Sequence, residues 1–252
     1  MFFMKIVENI GDKVIIYSFA TYDFLVFLFK CIGNIFLPSN YSKSSRIFLV
    51  KQIYLSSIEN LFSFIFLALF LGSIIIVIAI SFAITFNLVD QMGDLLVLLI
   101  VNEFSPFFTT LFFILVYSLS LQEKIRSIKR ENSKLSSKIY IPKLINGLLI
   151  VPLMALLFAT IMILSGYIVS SLYLNIDLFT YKNLIINSIS FENILILLIK
   201  SSIFGFVAVL VPLYSGHLKK KSYDVTKSVI KNLIIILNML ILTELLSILI
   251  LY

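Results

Sequence analysis

The five residues Asn102-Glu103-Phe104-Ser105-Pro106 place a carboxylate and a proline together inside an apolar run from Leu95 to Leu121. In hydrocarbon an ionisable side chain costs about 2.5–3.5 kcal/mol on insertion scales, so such a group marks a functional position by default. Two further charges stand alone in long apolar runs, Lys200 between Asn193 and Leu218 and Glu244 between Asn232 and Tyr252. The chemistry open to such groups is ion pairing and proton binding away from water. Pro106 withholds a backbone N–H, which frees a carbonyl one turn back and tends to kink its helix. Other chemistry finds little support. There is one cysteine, Cys31, and one histidine, His217, so a thiolate cage or a histidine cluster for a metal is not expected. No G-x-x-x-x-G-K-[ST], H-E-x-x-H or G-x-S-x-G motif occurs. The expectation is a chain with no catalytic residue, no metal and no cofactor of its own, and not an enzyme.

The elements that must position these charges follow from composition. The chain has 252 residues, of which 60% are hydrophobic and 13% charged. Its mean hydropathy is +1.09. Globular domains are about 45–50% apolar, so this composition belongs to an all-α integral membrane protein. The net charge of +7 then reports basic loops rather than nucleic-acid binding. Five charge-poor runs are long enough to cross a bilayer: about 60–89, 95–121, 144–176, 193–218 and 232–252. Pro142 sits near the first turn of the third, where proline is tolerated. Residues 1–37 differ. Lys5, Glu8 and Asp12 form a polar stripe at helical spacing, and Lys13 and Lys30 bracket only sixteen residues. That pattern predicts an amphipathic helix lying in the interface, with a short tilted span as the alternative. The segment does not read as a cleaved signal. Asp177 to Glu192 reads as a polar loop.

Basic residues alternate along the chain. The segment before the first span, the 122–143 loop and the 219–231 loop are rich in Lys and Arg, whereas the 90–94 and 177–192 turns are not. The positive-inside rule then sets the N-terminus in the cytoplasm and the C-terminus outside. On this topology Glu103, Lys200 and Glu244 each lie about eight residues from the outer end of their spans, roughly 12 Å deep at 1.5 Å per residue. Three charges of mixed sign at one depth predict a shared polar layer. The alternative is a snorkelling lysine and two protonated acids.

The residues also carry a resemblance. Val50-Lys51-Gln52-Ile53-Tyr54 with Gly72, Asn102 to Pro106, and Tyr140-Ile141-Pro142-Lys143 with Pro152-Leu153 and Gly166 resemble, in order, motifs of the MlaE-type permease family. So do Leu198 to Gly205, similar to the family's I-K-S-x-x-F-G, and Tyr214-Ser215-Gly216. Glu244 stands where that family usually has Asp. The chain departs from the pattern at Asn102, where the family has Arg. A glycine- and alanine-rich segment after the second span is missing, and Lys219-Lys220-Lys221 replaces a glycine-rich loop.

What the resemblance implies is one permease domain over 1–252 with an MlaE-like fold, in the bacterial inner membrane. It implies a permease subunit of an ABC transporter that moves phospholipid, working as a homodimer with an ATPase subunit and a periplasmic MCE-domain carrier. Within that reading, Glu123, Ile125, Arg126 and Ile128 in the 122–143 segment are expected to form a coupling helix that docks on the ATPase, the alternative being a solvated basic loop. Phe66, Phe70, Leu99 and Phe104 are expected to line a cavity for acyl chains. The rival from another class is a proton-coupled carrier that protonates Glu103 and Glu244 and needs no partner.

Overall fold

The computed structural model describes residues 21–86, 88, 91–121, 124–125, 127, 137–174, 177–217 and 225–251. The polar stripe at Lys5, Glu8 and Asp12 therefore lies outside the described residues. Helices account for nearly all of what is described, and no strand occurs among these residues.

The first helix, α1, covers residues 21–35. It lies against the ends of later helices. Phe24 and Phe27 pack on Tyr214, and Asn34 donates a hydrogen bond to the hydroxyl of Tyr140 at 2.8 Å. Cys31 on its inward face is buried, and burial pushes its thiol up to about 12. Helix α2, Lys43–Ile53, is capped by Ser42, whose side chain accepts from the backbone N–H of Ser45. A π-helical stretch, Tyr54–Ile58, leads from it to α3, Leu61–Thr85. Next come α4, Met92–Leu121, and α5, Ser137–Leu174. The last three are α6, Leu178–Ser188, α7, Phe191–His217, and α8, Val225–Leu251. Five of the eight, α3, α4, α5, α7 and α8, are long and apolar enough to cross a membrane.

Helix α5 is the centre of the bundle. It packs on α7, α3, α2 and α4, while α8 is held chiefly by α7. The α5–α7 crossing is close because Gly147 and Gly205 face each other. A Cβ on Gly205 would sit 2.2 Å from the Gly147 carbonyl oxygen, and one on Gly147 would sit 2.5 Å from that of Gly205. Between apolar helices in lipid there is no hydrophobic drive, so such backbone approach supplies the packing. The outer helices bury less: α3 turns Phe62, Phe66 and Phe70 outward, and α8 exposes Leu242, Leu245 and Leu249.

Two expectations need correction. Helix α5 begins at Ser137, so Pro142 lies inside it rather than in its first turn. The proline orphans one carbonyl, but Ile141 and Leu144 on either side are fully buried, and that packing carries the helix through. The 177–192 stretch is not a plain loop, since it holds α6. Asp177 caps α6 by accepting from the N–H groups of Phe179 and Thr180. The hydrogen bond from the Thr180 hydroxyl, with these backbone ones, holds its carboxyl below the usual carboxylate range. Tyr181 and Ile185, one turn apart, then bury against the bundle, with the Tyr181 hydroxyl donating to the Ile163 carbonyl at 2.9 Å.

Candidate functional site

The three isolated charges meet at one point. Lys200 on α7 places its Nζ 2.6 Å from Oε2 of Glu103 on α4 and 3.0 Å from Oε1 of Glu244 on α8. The lysine is 5% exposed. These are the ion pairs found among the described residues.

Local backbone explains why Lys200 points here. Leu98–Phe104 of α4 is a π-helical segment, and the N–H of Ser105 bonds back five residues to the Ile100 carbonyl. The Ser105 hydroxyl donates to the same carbonyl at 2.6 Å. Pro106 follows. An α-helix would direct the N–H of residue 106 at the Asn102 carbonyl, and proline has none. Lys200 Nζ takes that role, donating to the Asn102 carbonyl at 3.1 Å. The lysine therefore binds two carboxylates and the carbonyl that Pro106 releases, which uses its three donors. A π-bulge at such a position is a recurrent device of functional sites.

A polar chain leads away from this junction. The Asn102 side-chain amide donates to Oδ1 of Asn193 at 3.1 Å, and Asn193 donates to the Ser188 carbonyl at the end of α6, at 3.2 Å. On its other flank lies an apolar cleft of about 200 Å³ between α7 and α8. Ile196, Ile199, Lys200, Ile203, Phe204, Thr243 and Ser247 line it. An amphipathic molecule finds both of its requirements side by side here.

The remaining expected positions are scattered. Phe66 and Phe70 are 67% and 59% exposed on the outer face of α3. Leu99 and Phe104 are half-buried. None of the four lines the α7–α8 cleft. Glu123, Arg126 and Ile128 lie outside the described residues. Ile125 corrects an expectation: it is fully buried in this chain's own core, so its apolar side chain is not presented to a partner. Helical spacing reveals an apolar face but not which body covers it.

A second buried polar set was not foreseen. The Tyr117 hydroxyl donates to Oε1 of Gln52 at 2.6 Å, and Asn146 donates to the Ser56 hydroxyl at 3.0 Å. Tyr117 and Ser56 each lie in a π-helical stretch, Ile114–Ser118 and Tyr54–Ile58. This set joins α2, α4 and α5. The signal available in the sequence was Asn146 alone in the apolar run after Leu144.

A family model described as Permease MlaE matches residues 49–250. The chain belongs to the MlaE permease family. Among curated proteins no sequence matches it significantly. Membership makes the chain an ABC-type permease subunit, a multi-pass membrane protein with a transport role. The matched range takes in the three members of the charged junction, Gly147 and Gly205, and the second polar set. It leaves α1 and the start of α2 outside.

Proposed function

We propose that this MlaE-family permease moves phospholipid between the inner membrane and a periplasmic MCE-domain carrier. In this reading ATP is hydrolysed on a separate ATPase subunit, and the permease works as a homodimer. The N-terminus is cytoplasmic and the C-terminus periplasmic, so the charged junction lies in the outer half of the bilayer. The observation that carries the reading is the junction of a buried Lys200 with half-buried Glu103 and Glu244 beside an apolar cleft. A phospholipid needs a polar contact and an apolar wall at one depth, and few solutes need both.

The segment 122–143 is the ATPase-facing element. Its near end is anchored, because Leu121 and Ile125 are buried in the core. A push on it reaches Tyr117 one turn earlier, then Gln52 on α2 through their hydrogen bond, and from there α5. Rigid-body displacement of packed helices is the usual form of such coupling. Phe66 and Phe70, exposed here, are then available to a cavity shared with the second protomer, with Leu99 and Phe104 further along α4.

Reconstitution with an ATPase subunit and fluorescent phospholipid tests this. ATP-dependent transfer to an acceptor that stops on Lys200→Ala supports the proposal. Transfer that needs no ATP but follows a proton gradient would replace it with the proton-coupled carrier.

A further inference from the structure

The charged junction has an unbalanced count. Two carboxylates share one ammonium, which leaves a net charge of −1 if all three are ionised. No other charged side chain makes an ion pair with them among the described residues. The group that faces both carboxyls is Lys200 on α7, while the side-chain amide of Asn102 is turned to Asn193. A lone uncompensated charge in an apolar interior is expensive, and proteins relieve it by taking up a proton.

The geometry says where. Oε2 of Glu244 is buried and accepts no hydrogen bond. A buried acceptor without a donor costs about 1–3 kcal/mol or more when charged. Yet the two carboxyl groups crowd one Nζ, Glu103 through Oε2 at 2.6 Å and Glu244 through Oε1 at 3.0 Å, which makes them close neighbours. Two carboxylates have no hydrogen to offer one another. A protonated one becomes a donor, and the contact closes.

We infer that Glu103 and Glu244 bind one proton between them, so the junction is neutral as one ammonium, one carboxylate and one carboxylic acid. The proton comes from solvent and belongs to the pair rather than to either residue. The inference does not rest on the phospholipid reading. It gives the third charged residue a purpose. Helix α8 is held chiefly by α7, and beside Glu244 the cleft already separates the two. When Glu244 leaves as the neutral acid, Lys200 and Glu103 remain as a balanced pair. Helix α8 can then part from α7 without stranding a charge in lipid. A single acid–base pair would strand two.

The test is infrared spectroscopy of the full chain in lipid nanodiscs at pH 7, where exposed carboxyl groups are ionised. Wild type is expected to show a carboxylic-acid C=O band that shifts in D₂O. Glu244→Gln and Glu103→Gln should each abolish it, because the remaining acid then pairs one to one with Lys200. Lys200→Met should double it. Should Lys200→Met fail to fold, wild type against the two Gln variants decides. Absence of the band in wild type, or its survival in both Gln variants, overturns the inference. Lipid transfer measured on the same samples is a separate readout, so loss of one reading leaves the other standing.

Discussion

Replacing Lys200 with Met removes the cation from the junction while keeping most of the side-chain volume. Three contacts go with it: 2.6 Å to Glu103, 3.0 Å to Glu244 and 3.1 Å to the Asn102 carbonyl. Hydrogen bonds to charged groups are worth about 1.5–3 kcal/mol each, but they share one desolvated ammonium and do not add. Removing one partner from a buried ion pair costs about 3–5 kcal/mol, because the remaining carboxylate must either stay buried as a charge or take up a proton at neutral pH. Lys200 is 5% exposed, so solvent screens little of this. For a chain of this size each kcal/mol moves the melting point by about 2–4 °C, which gives a fall of roughly 6–20 °C. The protein carries its own probe. Cys31 is the one thiol and is buried, so a thiol-reactive dye in detergent reports unfolding. The neutral triple variant Lys200→Met, Glu103→Gln, Glu244→Gln should recover most of the loss, since no charge remains to be paired. A single Lys200→Met melting within about 2 °C of wild type would refute the reasoning. So would a triple variant no more stable than the single one.

Other outcomes follow from the same structure. Gly205→Val puts a side chain onto the Gly147 backbone at a 2.2 Å approach, and overpacking of about 1–3 kcal/mol or more should appear as a lowered melting point and poor yield of folded protein. Cys31, raised by burial from an ordinary 9.0 to about 12, should resist maleimide at neutral pH until the fold opens. Keeping that thiol neutral contributes stability that is whole below about pH 9 and lost as pH climbs toward about 12, which a pH series of melting curves checks. Asp177→Ala should speed amide exchange at Phe179 and Thr180. Because the Asp177 carboxyl is held below its usual range, the cap persists above that range and is lost as pH falls through it.

The charged junction was legible because Lys, Asp and Glu are rare in apolar runs, so each one stands out. Depth arithmetic from the loop charges then put Glu103, Lys200 and Glu244 at one level, and the structure joins them at 2.6 and 3.0 Å. What stayed hidden has a common cause. Gln52, Ser56, Tyr117 and Asn146 are uncharged, and such residues are ordinary in membrane helices, so beyond the lone Asn146 in its apolar run the sequence does not distinguish a network from a scatter. The π-helical geometry at Leu98–Phe104 has no composition signature. Neither does the acceptance of Lys200 by the carbonyl that Pro106 frees, although the proline itself was visible. Helix α6 was read as loop because its 11 residues carry polar ones at Thr180, Lys182, Asn183 and Asn187, while its buried pair, Tyr181 and Ile185, is too short a pattern to stand out. Ile125 shows the limit of periodicity: an apolar face was present, and the chain itself covers it.

The most direct test of the account is purification of the full chain in mild detergent from its own cells, followed by mass spectrometry of both proteins and lipids. The account predicts an ABC ATPase subunit and an MCE-domain protein in the preparation, with phospholipid bound in wild type and depleted in Lys200→Ala. A folded, partnerless chain that carries no lipid would contradict it.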